Sequence, residues 1–204
     1  PGLYVAGGLG GHSNGLIALA TYDGKVVADG VANDLSKLRS GEIPQARIDA
    51  EERRLNQFLA KKGDIVPAAV KETLRKIMWD NVGVEKDDTS LNAALDDIDR
   101  LRIELLPRMN VAFKGRTANY EWLDSIDLTN MIDACELIIH SSIERRESRG
   151  PFMRRDFPAT DNTNWLPATI MIKTEHGCRF EQRPYELPFY QPGFATKNNM
   201  EVAW

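Results

Sequence analysis

Histidine and cysteine are scarce in this chain. Three histidines and two cysteines among 204 residues are too few for a disulfide framework and leave little from which to assemble a metal centre. Cys135 falls in a helical pattern and Cys178 in a hairpin pattern; a bond between them stays open, but the count fits a reduced, cytoplasmic chain better. His176 and Cys178 are near neighbours without further Cys or His beside them, so no metal site is expected. Long hydrophobic runs are missing as well: none approaches the roughly 20 residues of a membrane span, and no cleavable signal pattern opens the chain. Neither sign of charge dominates. With 26 Lys and Arg against 30 Asp and Glu, the net charge is −4, which gives no general reason to expect nucleic-acid binding or membrane-surface adhesion. No arginine precedes Arg39, and the first residue is Pro1 rather than methionine, which reads as a piece of a longer or processed protein. What remains, 42% apolar and 27% charged, is ordinary for a globular chain long enough to bury a substantial core in one or two domains.

The pattern is mostly helical. A short apolar run, Leu3 to Ala6, reads as a buried strand. It enters a glycine-rich stretch containing Gly7, Gly8, Gly10, Gly11 and Gly15, after which Leu16, Ile17, Leu19 and Ala20 begin a helix with Ser13 or Asn14 placed to cap it. Pro44 opens a second helix with a stripe of Ile48, Leu55, Phe58 and Leu59, closed by Gly63. Asp64 and Pro67 start a third, with Val70, Leu74, Ile77 and Met78 on one face; Trp79 and Met78 read as core. Asp88 or Thr89 caps a fourth, striped by Leu91, Ala94, Ile98, Leu101 and Leu105 and ended near Pro107. The longest runs from about Leu128 to Arg146 on Leu128, Met131, Ile132, Cys135, Ile138, Ile139, Ser142 and Ile143. Such helices with short connections pack as an antiparallel bundle. Ala168 to Thr174 and Arg179 to Leu187 read as a hairpin turning at Glu175, His176 and Gly177. The residues from Pro188 onward read as an extended arm.

Two stretches carry chemistry. Glycines let a backbone approach a ligand closely, and the N-terminus of a helix offers free N–H groups with the positive end of a dipole. Gly7 to Asn14 running into the Leu16 helix has the layout of an anion or carbonyl cradle, and equally that of a tight structural turn. The second stretch is Ile143 to Trp165, where Arg145, Arg146, Arg149, Arg154 and Arg155 gather at the exit of the longest helix. They are either an anion patch or docking surface, or they pair with Glu144, Glu147, Asp156 and Asp161 in a structural network; the mixed charge favours the network. Phe152, Phe157 and Trp165 read as packing residues rather than stacking platforms.

Glu147-Ser148-Arg149-Gly150, then Arg154-x-Asp156-x-Pro158, then Asn164-Trp165, resemble the C-terminal signature of the succinate dehydrogenase and fumarate reductase flavoprotein family. Gly2-Leu3-Tyr4-Val5-Ala6-Gly7 resembles that family's Gly-Leu-Tyr-Ala-Ala-Gly, and Trp79 through Val84 its Val-Gly helix segment, so the resemblance covers most of residues 1–167. It implies a chain that is the C-terminal segment of an FAD-dependent oxidoreductase. Residues 1–38 would be the last piece of an FAD-binding α/β domain, a strand-loop-helix remnant. Residues 39–150 would be a three-helix, spectrin-repeat-like antiparallel bundle, and 151–204 the signature loop, a short β-hairpin and an extended tail. Gly7, Gly8, Gly10, Gly11, His12, Ser13, Asn14 and Leu16 would contact FAD. The complete enzyme would exchange a hydride between flavin and a small organic acid. Its partners would be the remainder of the flavoprotein and an electron-transfer subunit of iron-sulfur type, with membrane association only through such subunits, no direct membrane insertion and no nucleic acid. This segment alone would be inactive. Two departures bear on the substrate. The family's glutamate after Ala-Gly is Gly8 here, and its loop arginine, which grips a substrate carboxylate, has no counterpart; His12 is the weak candidate in its place. A relative with another substrate, of adenylylsulfate reductase or aspartate oxidase type, is the alternative, and a helical subunit-interaction module without flavin is the alternative from another class.

Overall fold

The computed structural model describes residues 3–7, 17–37, 41–175 and 177–184. They divide into two compact units, Pro1–Glu51 and Glu52–Trp204.

In the first unit the apolar segment Leu3–Ala6 ends at Gly7, whose φ of +70° lies in the left-handed region. A Cβ there would meet Ala20 Cβ at 3.7 Å, an ordinary contact, so it is the backbone conformation that calls for glycine. Helix α1, Ile17–Asp34, follows, and the Tyr4 hydroxyl donates to Asp34 Oδ2 at 3.3 Å. The Leu3–Ala6 run forms no ladder with any described residue. A strand needs a neighbour to take up its N–H and C=O groups, and the described residues of this unit supply none. Leu3 is 90% exposed and Ile17 85%, and no described residue of the unit is buried.

The second unit has a core. Helix α2, Gln45–Ala60, begins in the first unit, and its part beyond Glu51 buries Phe58. Gly63 follows because the chain passes so close to Arg108 that a Cβ would lie 1.8 Å from the Arg108 carbonyl oxygen. Helix α3, Pro67–Val82, starts with proline in its first turn and buries Val70, Leu74 and Ile77. Strand β1, Glu85–Lys86, leads to helix α4, Asp88–Arg100, whose cap is Asp87 rather than Asp88 or Thr89. Ser90 N–H donates to Asp87 Oδ1 at 2.8 Å and Asp87 N–H to Ser90 Oγ at 3.1 Å, a reciprocal capping box. A π-helical turn, Leu101–Leu105, and a 3-10 turn, Leu106–Arg108, unwind the end toward Pro107.

Helix α5, Tyr120–Glu144, starts at Tyr120 instead of Leu128. Asn119 caps it, accepting from Trp122 N–H at 3.0 Å. The extra turns lay Trp122 and Ile126 against the core, but their most buried residue is Ser125, which interrupts the apolar stripe and spends its hydroxyl on the Glu121 carbonyl at 2.8 Å. Helices α3, α4 and α5 pack mutually as a three-helix bundle around Leu74, Leu91, Ile98, Leu128 and Ile132. Three expected inward residues are corrected: Ile48 on α2 is exposed, Trp79 is 83% exposed and Ile138 51%. For the last two the reason is helical phase. Each sits one or two residues from a buried isoleucine, Ile77 or Ile139, and about 100° of helical rotation per residue carries it to the solvent side.

Strand β2, Met153–Arg154, pairs in parallel with β1. A short helix α6, Asn162–Trp165, precedes the hairpin of β3, Ala168–Thr174, and β4, Gly177–Arg183, antiparallel from Ala168 opposite Arg183 to Thr174 opposite Gly177. The return strand begins two residues before the expected Arg179, since Gly177 at φ +122° makes the turn. The described chain is thus mostly helical, with a short antiparallel hairpin toward its C-terminal end. Cys135 is partly buried on α5, Cys178 is exposed on β4, and both thiols are free. No described helix is long and apolar enough to cross a membrane.

Candidate functional site

The arginine-rich stretch is a latch at the exit of α5. A helix leaves its last four carbonyls without intrahelical partners. Here the residue ending the helix is Arg145 in extended conformation, not a glycine that would turn the chain back onto them. The carbonyls are taken instead by Arg154, whose side chain is fully buried. Its Nη1 donates to the Ser142 carbonyl and, at 3.1 Å, to that of Arg145. This places a cation at the negative end of the α5 dipole. The other edge of the guanidinium reaches carboxylates: Nε to Asp156 Oδ1 at 2.8 Å, Nη2 to Asp156 Oδ2 at 2.7 Å and to Asp88 Oδ1 at 2.7 Å. Burial works against the Arg154 charge, and Asp156 and Asp88 outweigh it, holding its pKa above the ordinary value. The hydrogen bonds from Arg154 hold the Asp156 carboxyl below its usual range against an opposing burial effect.

Each residue of the Glu147-Ser148-Arg149-Gly150 stretch has a place in this latch. Glu147 is fully buried and receives Arg145, Arg149 and, at 2.9 Å, the backbone N–H of Asp161. Ser148 Oγ accepts from Arg154 N–H at 2.8 Å and lies 2.9 Å from the Phe157 carbonyl, to which it donates. Arg149 also donates to Asn162 Oδ1 at 2.8 Å. Gly150, at φ +55°, turns the chain so that Arg149 and Phe152 exchange backbone hydrogen bonds of 2.8 and 3.0 Å. Arg155 pairs with Asp87 at 2.8 Å, and its N–H donates to the Lys86 carbonyl at 2.9 Å. Asp87, lowered first by the Ser90 N–H and then by Arg155, and Asp161, lowered first by the Asn164 side chain, complete the acidic set.

The aromatic residues of the stretch pack, and they do so under cations. The Arg145 guanidinium lies 5.9 Å from the Trp165 ring centre, Arg154 lies 5.0 Å from Phe157, and Lys86 lies 4.6 Å from Phe152. The structural network is therefore what Arg145, Arg149, Arg154 and Arg155 build; Arg146 and Glu144, expected in it, make no described side-chain pairing, and Asp87 and Asp88 join from the start of α4. Lys86 was missed outright. It is buried, donates to the Val84 carbonyl at 3.1 Å, and has its pKa lowered by burial and then by Arg154. An exposed-looking Glu85-Lys86-Asp87-Asp88 run carries no signal of that burial.

The glycine-rich candidate site is described only at its edges. Gly7 stands at the entrance and α1 begins at Ile17. Gly8, Gly10, Gly11, His12, Ser13, Asn14 and Leu16 lie outside the described residues, as does His176. Among the described residues no cluster of His, Cys, Asp and Glu has the makings of a metal site.

A family model described as fumarate reductase flavoprotein C-term matches residues 71–196, more than half of the chain. The chain belongs to this family. The fumarate reductase flavoprotein subunit of Haemophilus influenzae is 29% identical over 196 residues, covering 94% of this chain and 32% of that protein. An FAD-dependent oxidoreductase of Methanocaldococcus jannaschii is 34% identical over 145 residues, covering 69% and 25%. Among solved structures, an Escherichia coli quinol fumarate reductase FrdA variant superposes with a TM-score of 0.75 at 20% identity, covering 86% of this chain and 31% of that one, which shows a shared fold. More distant relatives include an L-aspartate oxidase of Streptomyces coelicolor, 25% identical over 81% of this chain and 29% of that one. The fold also matches adenylylsulfate reductase of Archaeoglobus fulgidus, with a TM-score of 0.71 at 17% identity over 86% of this chain and 30% of that one. The chain spans about a third of the length of the curated relatives it matches. The latch falls inside the matched region, so the family signature at Glu147 to Asp156 coincides with a device that closes a helix.

Proposed function

We propose that the chain is the C-terminal part of an FAD-dependent oxidoreductase of the fumarate reductase and succinate dehydrogenase flavoprotein type. On this reading residues 1–38 complete an FAD-binding domain, 39–150 form the helical domain, and 151–204 supply the signature loop, hairpin and tail. Bound FAD would supply hydride exchange with a small organic acid. The chain's own task is to hold the flavin side of that site. The backbone amides of Gly7, Gly8, Gly10, Gly11, His12, Ser13 and Asn14, with Leu16 entering α1, would face it. Amides fixed before reaction stabilise negative charge without reorganising.

The observation that carries this reading is the family membership, and the described flanks fit the group. Gly7 is left-handed, a conformation that suits a backbone turning under a ligand as it suits a tight turn. The first turn of α1 holds no acidic residue, so its N–H groups meet no local carboxylate. Leu3, Val5 and Ile17 stand exposed around the entrance, apolar surface that a flavin ring and the rest of the domain would cover. The isolated chain would have no turnover. An iron-sulfur subunit would take or give the electrons, and any membrane association would come through such partners.

Flavin absorbance tests this directly. The product of the whole open reading frame should purify with the flavin spectrum, and Gly10→Val with Gly11→Val should remove it. A colourless protein that FAD fails to reconstitute sinks the reading in favour of a helical interaction module. A second reading, a flavoprotein acting on another substrate, is favoured by Gly8 and by the absence of any arginine before Arg39. Assays on fumarate, succinate, aspartate and adenylylsulfate separate the two.

A further inference from the structure

The joint where α2 ends and α5 begins collects cations on a rigid frame. Lys61 and Lys62 close α2, Arg108 and Lys114 lie on the chain crossing beneath it, and Arg116 lies in the loop before α5. Backbone bonds hold the joint: Asp64 and Ile65 N–H donate to the Arg108 carbonyl at 3.0 and 3.1 Å, and Asn110 N–H to the Ile65 carbonyl at 2.8 Å. Lys114 Nζ donates to the Lys61 carbonyl and to Asn110 Oδ1, both at 2.9 Å. Lys61 Nζ donates to the Leu106 carbonyl at 3.1 Å. Among the described residues, only Arg108 of this set has a carboxylate, Asp64, at 2.9 Å. Among the described residues, Lys62 and Arg116 are exposed and no carboxylate pairs with them or with Lys61 or Lys114. In a chain of net charge −4, this is a local excess of positive charge.

An aromatic ring is fixed in the same loop. Asn119 Nδ2 donates to the Phe113 carbonyl at 2.6 Å and to the Gly115 carbonyl at 2.7 Å, which clamps residues 113–115. The Phe113 ring lies so close to Gly115 that a Cβ there would sit 2.4 Å from its Cζ, and the ring is nonetheless 58% exposed. Ala118, at φ +55°, shows that the loop holds a conformation an L-residue seldom adopts. A pre-ordered aromatic among unneutralised cations is the composition of an anchor for a partner, because the ring loses little conformational freedom on contact and the cations supply the charge.

We propose that this joint is a docking surface for a short acidic segment of a partner protein, with carboxylates against Lys62, Lys114 and Arg116 and an apolar side chain on Phe113. Charge complementarity selects an acidic ligand. Inorganic phosphate has nothing to lay on the ring. Glu121 marks the edge of the patch, accepting from the Ala112 N–H at 2.8 Å, so the surface suits a short segment with few carboxylates rather than a nucleic-acid strand charged along its whole length. The proposal involves no flavin, so it stands or falls separately from the cofactor reading.

The test uses the chain with a fluorescein-labelled synthetic peptide of glutamates interrupted by phenylalanine, followed by fluorescence anisotropy. Saturable binding that weakens with added salt is expected. Lys62→Glu with Arg116→Glu should weaken it about tenfold or more while leaving the helical circular dichroism unchanged, since neither side chain makes a described contact. Phe113→Ala should weaken it without altering the salt dependence. Absence of saturable binding, binding indifferent to the double charge reversal, or tighter binding of a single-stranded oligonucleotide overturns the proposal.

Discussion

Arg154 and Asp88 are 66 residues apart in sequence, and their side chains meet at 2.7 Å. The contact joins the last carbonyls of α5 to the first turn of α4 through one guanidinium. The consequences differ for the two partners. Arg154 is fully buried, whereas the Asp88 side chain is 51% exposed.

Arg154→Met should therefore destabilise the second unit strongly. It strands the α5 carbonyls and leaves Asp156 with only the Asp88 N–H and no cation, and breaking a buried ion pair typically costs about 3–5 kcal/mol. Asp88→Asn removes only a half-solvated pairing, worth at most about 1 kcal/mol. Urea unfolding followed by circular dichroism checks both, and equal losses would contradict this account of the latch.

Acid should open the latch late. The carboxyls of Asp87, Asp156 and Asp161 are all held below their ordinary value. A depressed folded pKa contributes stability that is complete above the unfolded value of about 3.9 and fades as pH falls through the lower folded values. Tm should stay level from neutral pH down to about pH 5 on account of these groups and drop below about pH 4. Asp156→Asn should flatten that drop.

Two glycines should respond to alanine for different reasons. At Gly63 the added Cβ would collide with the Arg108 backbone at 1.8 Å, which forces the α2 exit away from the 3-10 turn ending at Arg108 and costs about 1–3 kcal/mol or more. At Gly150 nothing lies within 4 Å, and the cost is the left-handed conformation alone, about 1–2 kcal/mol. Reversing the order of the two in thermal unfolding would refute the close-approach argument.

The bundle should tolerate change at Trp79 and not at Leu128. Leu128 is fully buried and Trp79 is 83% exposed. Leu128→Ala is expected to cost about 2–5 kcal/mol, and Trp79→Ala to stay within about 0.5 kcal/mol.

Local pattern was enough to read the helices α2 to α4, the hairpin and the identity of most bundle residues, because amphipathic spacing reports which face is buried whatever it is buried against. It was enough, too, to link the Glu147 to Gly150 stretch with a flavoprotein family. It failed wherever burial was polar or partners were distant in sequence. Ser125 hides the first turns of α5 because a serine breaks the apolar stripe while bonding its own helix. Lys86 and Arg154 are buried charges, whose tolerance depends on aromatic rings and carboxylates that the fold brings in from other elements. Trp79 and Ile138 are apolar residues for which helical phase, set by the neighbours α5 and α4, outweighed chemistry. Single residues state their own preferences; which charges lie inside is settled between elements, because the cost of burying a charge is met only by partners brought together by folding.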